Sequence, residues 1–179
     1  GTELASSGIP QGREFEILKE VYGEIPPEVI AKPYENPVGG DPEKVRENRR
    51  QSTRLLKEAG YEVRDQKLVD KNGKQVSVEF LIDSPPSERI VLFYKPSLER
   101  LGIDVTVRTV DTAQYQNRLR SFDYDIVTEV WGQSLSPGNE QRDFWGTESA
   151  DVPGSRNTVG IKNPVVDKLI DKIIFAKDR

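Results

Sequence analysis

Carboxylates gather in one stretch of this chain, Tyr124 to Gly146, which reads YDIVTEVWGQSLSPGNEQRDFWG. Asp125, Glu129, Glu140 and Asp143 all lie in it. A pair of carboxylates is the minimum equipment of a glycosidase-type hydrolase, one acting as general acid and the other as base or nucleophile. Strand alternation puts Asp125 and Glu129 on one face, although nothing in the sequence indicates a raised pKa for either. Other enzymatic chemistry is narrowed by composition. The chain has no histidine and no cysteine, which removes the commonest general base, the commonest transition-metal ligand, thiolate metal sites, a cysteine nucleophile and disulfides.

The elements that must carry these residues are legible around them. The β-branched and aromatic residues of Tyr124 to Trp131 predict a short buried strand. It breaks at Gly132 into a polar loop, with both tryptophans, Trp131 and Trp145, near the ends of that loop. A polar loop at the carboxyl end of a buried strand is where open α/β sheets place ligands. Ser136-Pro137 predicts a helix start, with Ser136 as N-cap, Pro137 at the first helical position and Glu140 in the first turn, which leaves free N–H groups facing the loop. The same residues also read as a plain strand, surface loop and helix with two core tryptophans.

Residues 1–41 are punctuated by Gly and Pro, with short helices predicted near 14–20 and 27–31. This opening carries Leu18, Val21, Tyr22, Ile25, Val29, Ile30 and Tyr34, so it is expected to pack over the domain. Asp41-Pro42 starts the clearest helix, ending at Ala59 before Gly60. Its Arg46, Arg49, Arg50, Arg54 and Lys57 alternate with Glu43, Glu47 and Glu58, the pattern of a solvated face. Asn72-Gly73 between Lys67–Val69 and Val76–Ile82 signals a hairpin. A helix follows through Ile90, Phe93, Tyr94, Leu98 and Leu101, with Pro96 as a kink and Gly102 as its stop, then a strand from Ile103. Asp111 with Gln114 makes a capping-box-like start for a helix carrying Tyr115, Leu119 and Phe122. Strands joined by crossover helices pair in parallel, so 76–82, 103–109 and 124–131 are expected in one sheet. Asn163-Pro164 caps a last helix. The fold class is α/β, a single domain over residues 1–179.

With 179 residues, one such domain can bury a substantial core. A net charge of −4 argues against nucleic acid as a partner. No apolar run approaches the length of a membrane span, so no direct membrane insertion is expected, and no signal-peptide pattern opens the chain. The sequence contains no methionine, Gly1 reads as a cloning remnant, and the last apolar pattern runs into Ala176–Arg179 without a stop. These features lead to the expectation of a piece excised from a longer protein.

The segments FDYDIVTEVWGQSLSPGNEQRDFWG, PGSRN and GIKNPVVDKLIDKII resemble the extracellular solute-binding proteins of ABC importers. The resemblance is to the peptide-binding class of oligopeptide and dipeptide binders, and within it to the YejA-like subgroup. Ser97 to Val105 matches the helix-to-strand junction of that class, followed by Tyr115-Gln116-Asn117-Arg118-Leu119. The likeness spans nearly the whole chain and is strong from Leu98 onward. It implies a periplasmic-binding-protein-like (type II) lobe with a central mixed sheet of parallel strands. It also implies a first lobe elsewhere in the same protein, a periplasmic location, ABC importer membrane subunits as partners, a peptide ligand, no cofactor and no catalysis. Such binders present an aspartate to the peptide ammonium three residues after the strand-ending tryptophan; here that position is Ser134.

On this reading Trp131 offers an aromatic wall, Gln133, Ser134 and Asn139 offer hydrogen-bonding groups, and the 132–138 loop, with Gly132, offers backbone donors. Glu140 is a candidate for the ammonium, or else a helix-start carboxylate favoured by the dipole. Arg142 and Arg156 are candidates for a ligand carboxylate, or else ion-pair partners. Trp145 reads as core. The competing readings are the carboxylate hydrolase and a non-catalytic protein-interaction domain.

Overall fold

The computed structural model describes residues 8–21 and 23–177. Gly1, Tyr22, Asp178 and Arg179, named above, lie outside the described residues. A short antiparallel sheet of β1 (Glu62–Arg64) and β2 (Lys67–Val69) precedes a three-stranded parallel sheet of β3 (Ser77–Ile82), β4 (Asp104–Thr109) and β5 (Ile126–Val127), in the order β4-β3-β5. In β3 and β4, Ser77 lies opposite Asp104 and Ile82 opposite Thr109; in β3 and β5, Phe80 lies opposite Ile126 and Leu81 opposite Val127. The single parallel sheet expected from the strand and helix alternation is present.

The crossover helices take opposite faces. Helix α4 (Pro85–Glu99) lays Val91 on Phe80, Ile82 and Val105, with Val78, Leu98, Ile103, Val107 and Ile126 packed around them. Each such fully buried side chain contributes about 1.5–3 kcal/mol. Lys95 lies along the same face, its ammonium donating to the Val105 carbonyl at 2.7 Å. Helix α5 (Thr112–Arg120) takes the other face, where Arg118 donates to Glu79 at 2.8 Å. Asp111 caps it, accepting from the Gln114 N–H at 2.9 Å. Because the connection from β3 to β4 runs over one face through α4 and the connection from β4 back past β3 to β5 runs over the other through α5, the sheet has a topological switch point at the carboxyl ends of β3 and β5.

Gly102 ends the α4 turn at φ +88°, and a Cβ there would lie 2.4 Å from the Leu68 nitrogen. Only glycine permits both the left-handed backbone and this approach. The Leu68 N–H donates to the Gly102 carbonyl at 2.8 Å, tying the small sheet to the large one.

Helix α3 (Pro42–Glu58) is capped by Asp41, which accepts from the Lys44 N–H at 2.8 Å, and has no buried residue, as its mixed charge predicts. Helices α1 (Gly12–Glu20) and α2 (Glu28–Ala31) fall close to the predicted positions. The opening segment docks through Val21, 4% exposed, and through Glu20 and Glu24, which accept from Lys172 and Lys168. Those lysines lie on α7 (Pro164–Ile174). Further on, the Tyr34 and Val38 side chains are exposed, and the Val38 carbonyl accepts from the Asn48 amide of α3 at 3.1 Å.

Three expectations are corrected. The hairpin belongs to β1 and β2, whose connecting residues Asp65 and Gln66 both have positive φ, the backbone of a two-residue primed turn. Asn72-Gly73 makes a tight turn held by Asp70, which accepts from the Asn72 and Lys74 N–H groups at 2.8 and 2.9 Å. Across it the pairing is limited to one antiparallel bridge, Val69 with Gln75, with the Asp70 N–H donating to the Lys74 carbonyl at 2.9 Å and the Val76 N–H to the Leu68 carbonyl at 2.8 Å, while β3 pairs on its two edges with β4 and β5. Second, the strand expected over 124–131 pairs only at Ile126–Val127. Around it side chains replace a neighbouring strand: the Tyr115 hydroxyl donates to the Thr128 carbonyl at 3.0 Å and Arg156 to the Val130 carbonyl at 2.7 Å. Third, the helix after the loop, α6 (Glu140–Trp145), begins at Glu140 with Asn139 as N-cap, not at Ser136. The Ser134 hydroxyl folds onto Ser136, and the Gly138 N–H is taken by the Glu140 carboxylate at 2.7 Å, so no helical turn forms through Pro137. No helix among the described residues is long and apolar enough to cross a membrane.

Candidate functional site

The extended segment leaving β5 carries Trp131 to Leu135 past the last ladder pair. Among the described residues, the N–H groups of Trp131, Gly132, Gln133, Ser134 and Leu135 find no intramolecular acceptor. Gly132, Gln133, Ser134 and Leu135 are exposed, so this is a run of open backbone donors on the surface, an arrangement that accepts an extended partner chain.

Behind the segment lies an aromatic block. Trp131 is half-buried, its ring 4.9 Å from that of Trp145 with a 40° tilt, and its indole N–H donates to the Arg156 carbonyl at 3.0 Å. Only ring surface is therefore left to a ligand. Trp145, half-buried, meets the buried Phe144 edge-on at 6.1 Å. Asn157, fully buried, ties the block together: it donates to the Gly146 and Ile161 carbonyls, each at 3.0 Å, and accepts from the Ile161 N–H at 2.9 Å.

The charged candidates are placed differently from the uncharged ones. Arg156 donates to the Val130 carbonyl, stands 3.7 Å from Glu129 and lies over the Phe144 ring at 4.6 Å. Its guanidinium braces the segment from behind. Arg142 pairs with Asp171 at 2.7 Å, both half-exposed, a surface pair of small energetic value. Glu140 accepts from the Gly138 N–H and from Gln141 at 3.3 Å. These bonds, the first above all, hold its carboxyl below the ordinary carboxylate range. It is thus a loop clasp, and a depressed pKa is the opposite of what a general acid needs. Asp125 is also engaged, accepting from the Glu79 N–H at 2.8 Å. Both arginines thus stand beside carboxylates, and Glu140 sits in the first turn of α6 with its carboxylate on the Gly138 N–H. Ser134 uses its hydroxyl on Ser136, and Asn139 is exposed beside the loop.

A cleft of about 490 Å³ opens beside the segment at the switch point, lined by Asp83, Tyr115, Gln116, Thr128 and Glu129 among others. The Tyr115 hydroxyl is pushed above its usual pKa by burial first, then by the charges of Asp83 and Glu129. Sequence reasoning missed Asp83 and Tyr115 as cleft residues, because only the strand order β4-β3-β5 brings the end of β3 beside the end of β5. It also missed Gln141, a buried amide with no sequence signal at its spacing.

A doubly wound parallel sheet with its opening at the carboxyl ends of β3 and β5 is the architecture of the type II periplasmic binding proteins. The oligopeptide-binding protein AppA from Bacillus subtilis, solved in complex with a nonapeptide, superposes with a TM-score of 0.63 at 24% identity, over 73% of this chain and 26% of that one. Residues 16–151 match the family of bacterial extracellular solute-binding proteins, family 5, middle region, and the chain belongs to that family. It is 54% identical over 180 residues to the probable peptide-binding protein YejA of Agrobacterium fabrum, covering 100% of this chain and 29% of the relative. It is 37% identical over 165 residues to the peptidoglycan-binding protein YepA of the same organism, covering 92% and 27%. The chain thus spans less than a third of the length of these relatives.

Proposed function

We propose that residues 1–179 form the second, ligand-binding lobe of a periplasmic solute-binding protein that captures peptides between two lobes and hands them to the membrane subunits of an ABC importer. The observation that carries this reading is the open run of backbone N–H groups from Trp131 to Leu135, set beside the switch-point cleft. An extended peptide supplies carbonyls at regular spacing to such a run, and its side chains then alternate between the cleft and the opposite side. Trp131 contributes ring surface, Gln133 its remaining amide valences, and Ser134 and Asn139 polar contacts at the loop. Gly132 leaves the backbone approachable, since no atom lies within 4 Å of where its Cβ would be.

Arg142, Arg156 and Glu140 act from behind in this reading, and they meet a ligand only if it displaces their present partners. The likeness to YejA, a probable peptide-binding protein, and to AppA with its nonapeptide supports a peptide, and that to the peptidoglycan-binding protein YepA supports a ligand from peptidoglycan, which carries peptide. The protein has no catalytic role in this account: two of the four candidate carboxylates, Asp125 and Glu140, are engaged by backbone N–H groups.

Native mass spectrometry of a two-lobed polypeptide containing the chain, in a mixture of di- to nonapeptides beside a matched mixture of oligosaccharides, tests the reading. Retention of unmodified peptides supports it. Hydrolysed products in either mixture would establish the enzymatic alternative, and retention of neither would return the chain to a protein-interaction domain.

A further inference from the structure

Gln141 is 4% exposed and sits in the first turn of α6, yet its amide is directed at the loop. Its Nε2 donates to Gln133 Oε1 at 2.7 Å and to Glu140 Oε1 at 3.3 Å. Its Oε1 accepts from Gln133 Nε2 at 3.4 Å and from Trp145 Nε1 at 3.2 Å. Glu140 in turn accepts from the Gly138 N–H at 2.7 Å. One buried amide therefore reaches the loop near its beginning, through Gln133, and near its end, through Glu140 and Gly138.

Resting on the peptide-binding reading above, we propose that Gln141 is a positioning residue that latches the 133–138 loop to α6 and so presents the open N–H groups of the Trp131–Leu135 segment in one arrangement. The loop has little else to hold it: Gly132 to Ser136 are exposed, and the Ser134 hydroxyl bonds only within the loop. Fixing the backbone of one residue costs about 1–2 kcal/mol, so a loop ordered before the ligand arrives raises affinity by what it no longer has to lose. A core-filling role alone needs no amide at this position. Leucine would occupy a similar volume, and among the four hydrogen bonds only that from Trp145 stays within the aromatic block.

The test uses Gln141→Leu and Gln141→Glu in the ¹⁵N-labelled chain, with trialanine as the probe. The chain has 2 tryptophans, so the two indole N–H resonances report Trp131 and Trp145 separately. In Gln141→Leu the Trp145 indole signal is expected to shift and exchange faster, with that of Trp131, held by the Arg156 carbonyl, unmoved. Gln141→Glu keeps an acceptor for Trp145 and loses both donations, so its indole signals stay in place. Trialanine affinity is expected to fall roughly tenfold in both variants, the scale of losing preorganisation. Combining Gln141→Leu with Gln133→Ala should then weaken binding no further than the weaker single variant, because contacting residues couple.

Binding by either folded variant within about twofold of wild type overturns the latch, as does full additivity in the double variant. If Gln141→Leu does not fold, Gln141→Glu decides. A wild-type chain that fails to respond to trialanine counts against the peptide reading. In that case an unshifted Trp145 indole signal, or an unchanged exchange rate of the Gly138 amide, in Gln141→Leu still overturns the latch.

Discussion

Replacing Gly102 by alanine tests how the small sheet is fastened to the large one. At φ +88° an alanine pays for a left-handed backbone, about 1–2 kcal/mol. Its Cβ would also stand 2.4 Å from the Leu68 nitrogen, 2.9 Å from the Lys67 carbonyl carbon and 3.0 Å from the Gln66 carbonyl oxygen. All three are backbone atoms, so no side-chain rotation relieves the contact, and β2 must move by close to an ångström. That movement breaks the Leu68 N–H bond to the Gly102 carbonyl at 2.8 Å and the Gln75 amide bond to the same oxygen at 3.2 Å, about 1 kcal/mol each. It also opens the packing of Leu68, which is 2% exposed. The sum is about 3–5 kcal/mol, a large part of the stability of an ordinary domain. Gly60→Ala is the control: its φ is +91° but nothing lies within 4 Å of the added Cβ, so it should cost only about 1–2 kcal/mol. Urea unfolding of both variants, followed by circular dichroism, measures the difference. Equal losses in the two would show that the close approach at Gly102 does not fasten the sheets and would refute the argument.

Trp131→Ala should weaken peptide binding by about 1–3 kcal/mol, the range for losing a stacked aromatic anchor; unchanged affinity in a folded variant would make Trp131 purely part of the aromatic block. Calorimetry should find the chain alone binding peptides at about millimolar level, near 4 kcal/mol, and a two-lobed polypeptide containing it binding far more tightly. Micromolar binding by the chain alone would exclude a cleft shared between lobes. Glu79 has its carboxyl held below the ordinary range by hydrogen bonds from Arg108 and Arg118, and a depressed folded-state pKa adds stability above the unfolded pKa that is lost as pH falls through the folded one. Wild type should therefore exceed Glu79→Gln by about 1 kcal/mol near pH 7, a value limited by partial exposure, with the gap closing only below the ordinary carboxylate range; a pH-independent gap in thermal unfolding would contradict the ion-pair assignment.

Local chemistry sufficed wherever a residue acts on its own neighbours. Asp41, Asp111 and Asn163 each cap the helix that follows, as their types and the prolines at 42 and 164 predict. Gly102 stops α4, and the apolar periods of 77–82 and 104–109 give strands in the same parallel sheet. The polar loop after Trp131 was legible as a place, and the motif around Trp131 was enough to indicate the family. What the residues do at that place was decided by partners far along the chain. The strand over 124–131 is cut short where the Tyr115 hydroxyl and the Arg156 guanidinium occupy the Thr128 and Val130 carbonyls that a neighbouring strand would use. Glu140 and Arg142 are tied to Gly138 and Asp171, and Arg156 to Val130. Asn72-Gly73 carries the stronger hairpin signal, yet the ladder formed across Asp65-Gln66 and a single bridge across Asn72-Gly73, since β3 has β4 and β5 on its two edges. Capping and turn preferences are set within a few bonds of the residue that shows them, whereas a side chain's freedom to meet a ligand depends on which distant donor or acceptor reaches it first.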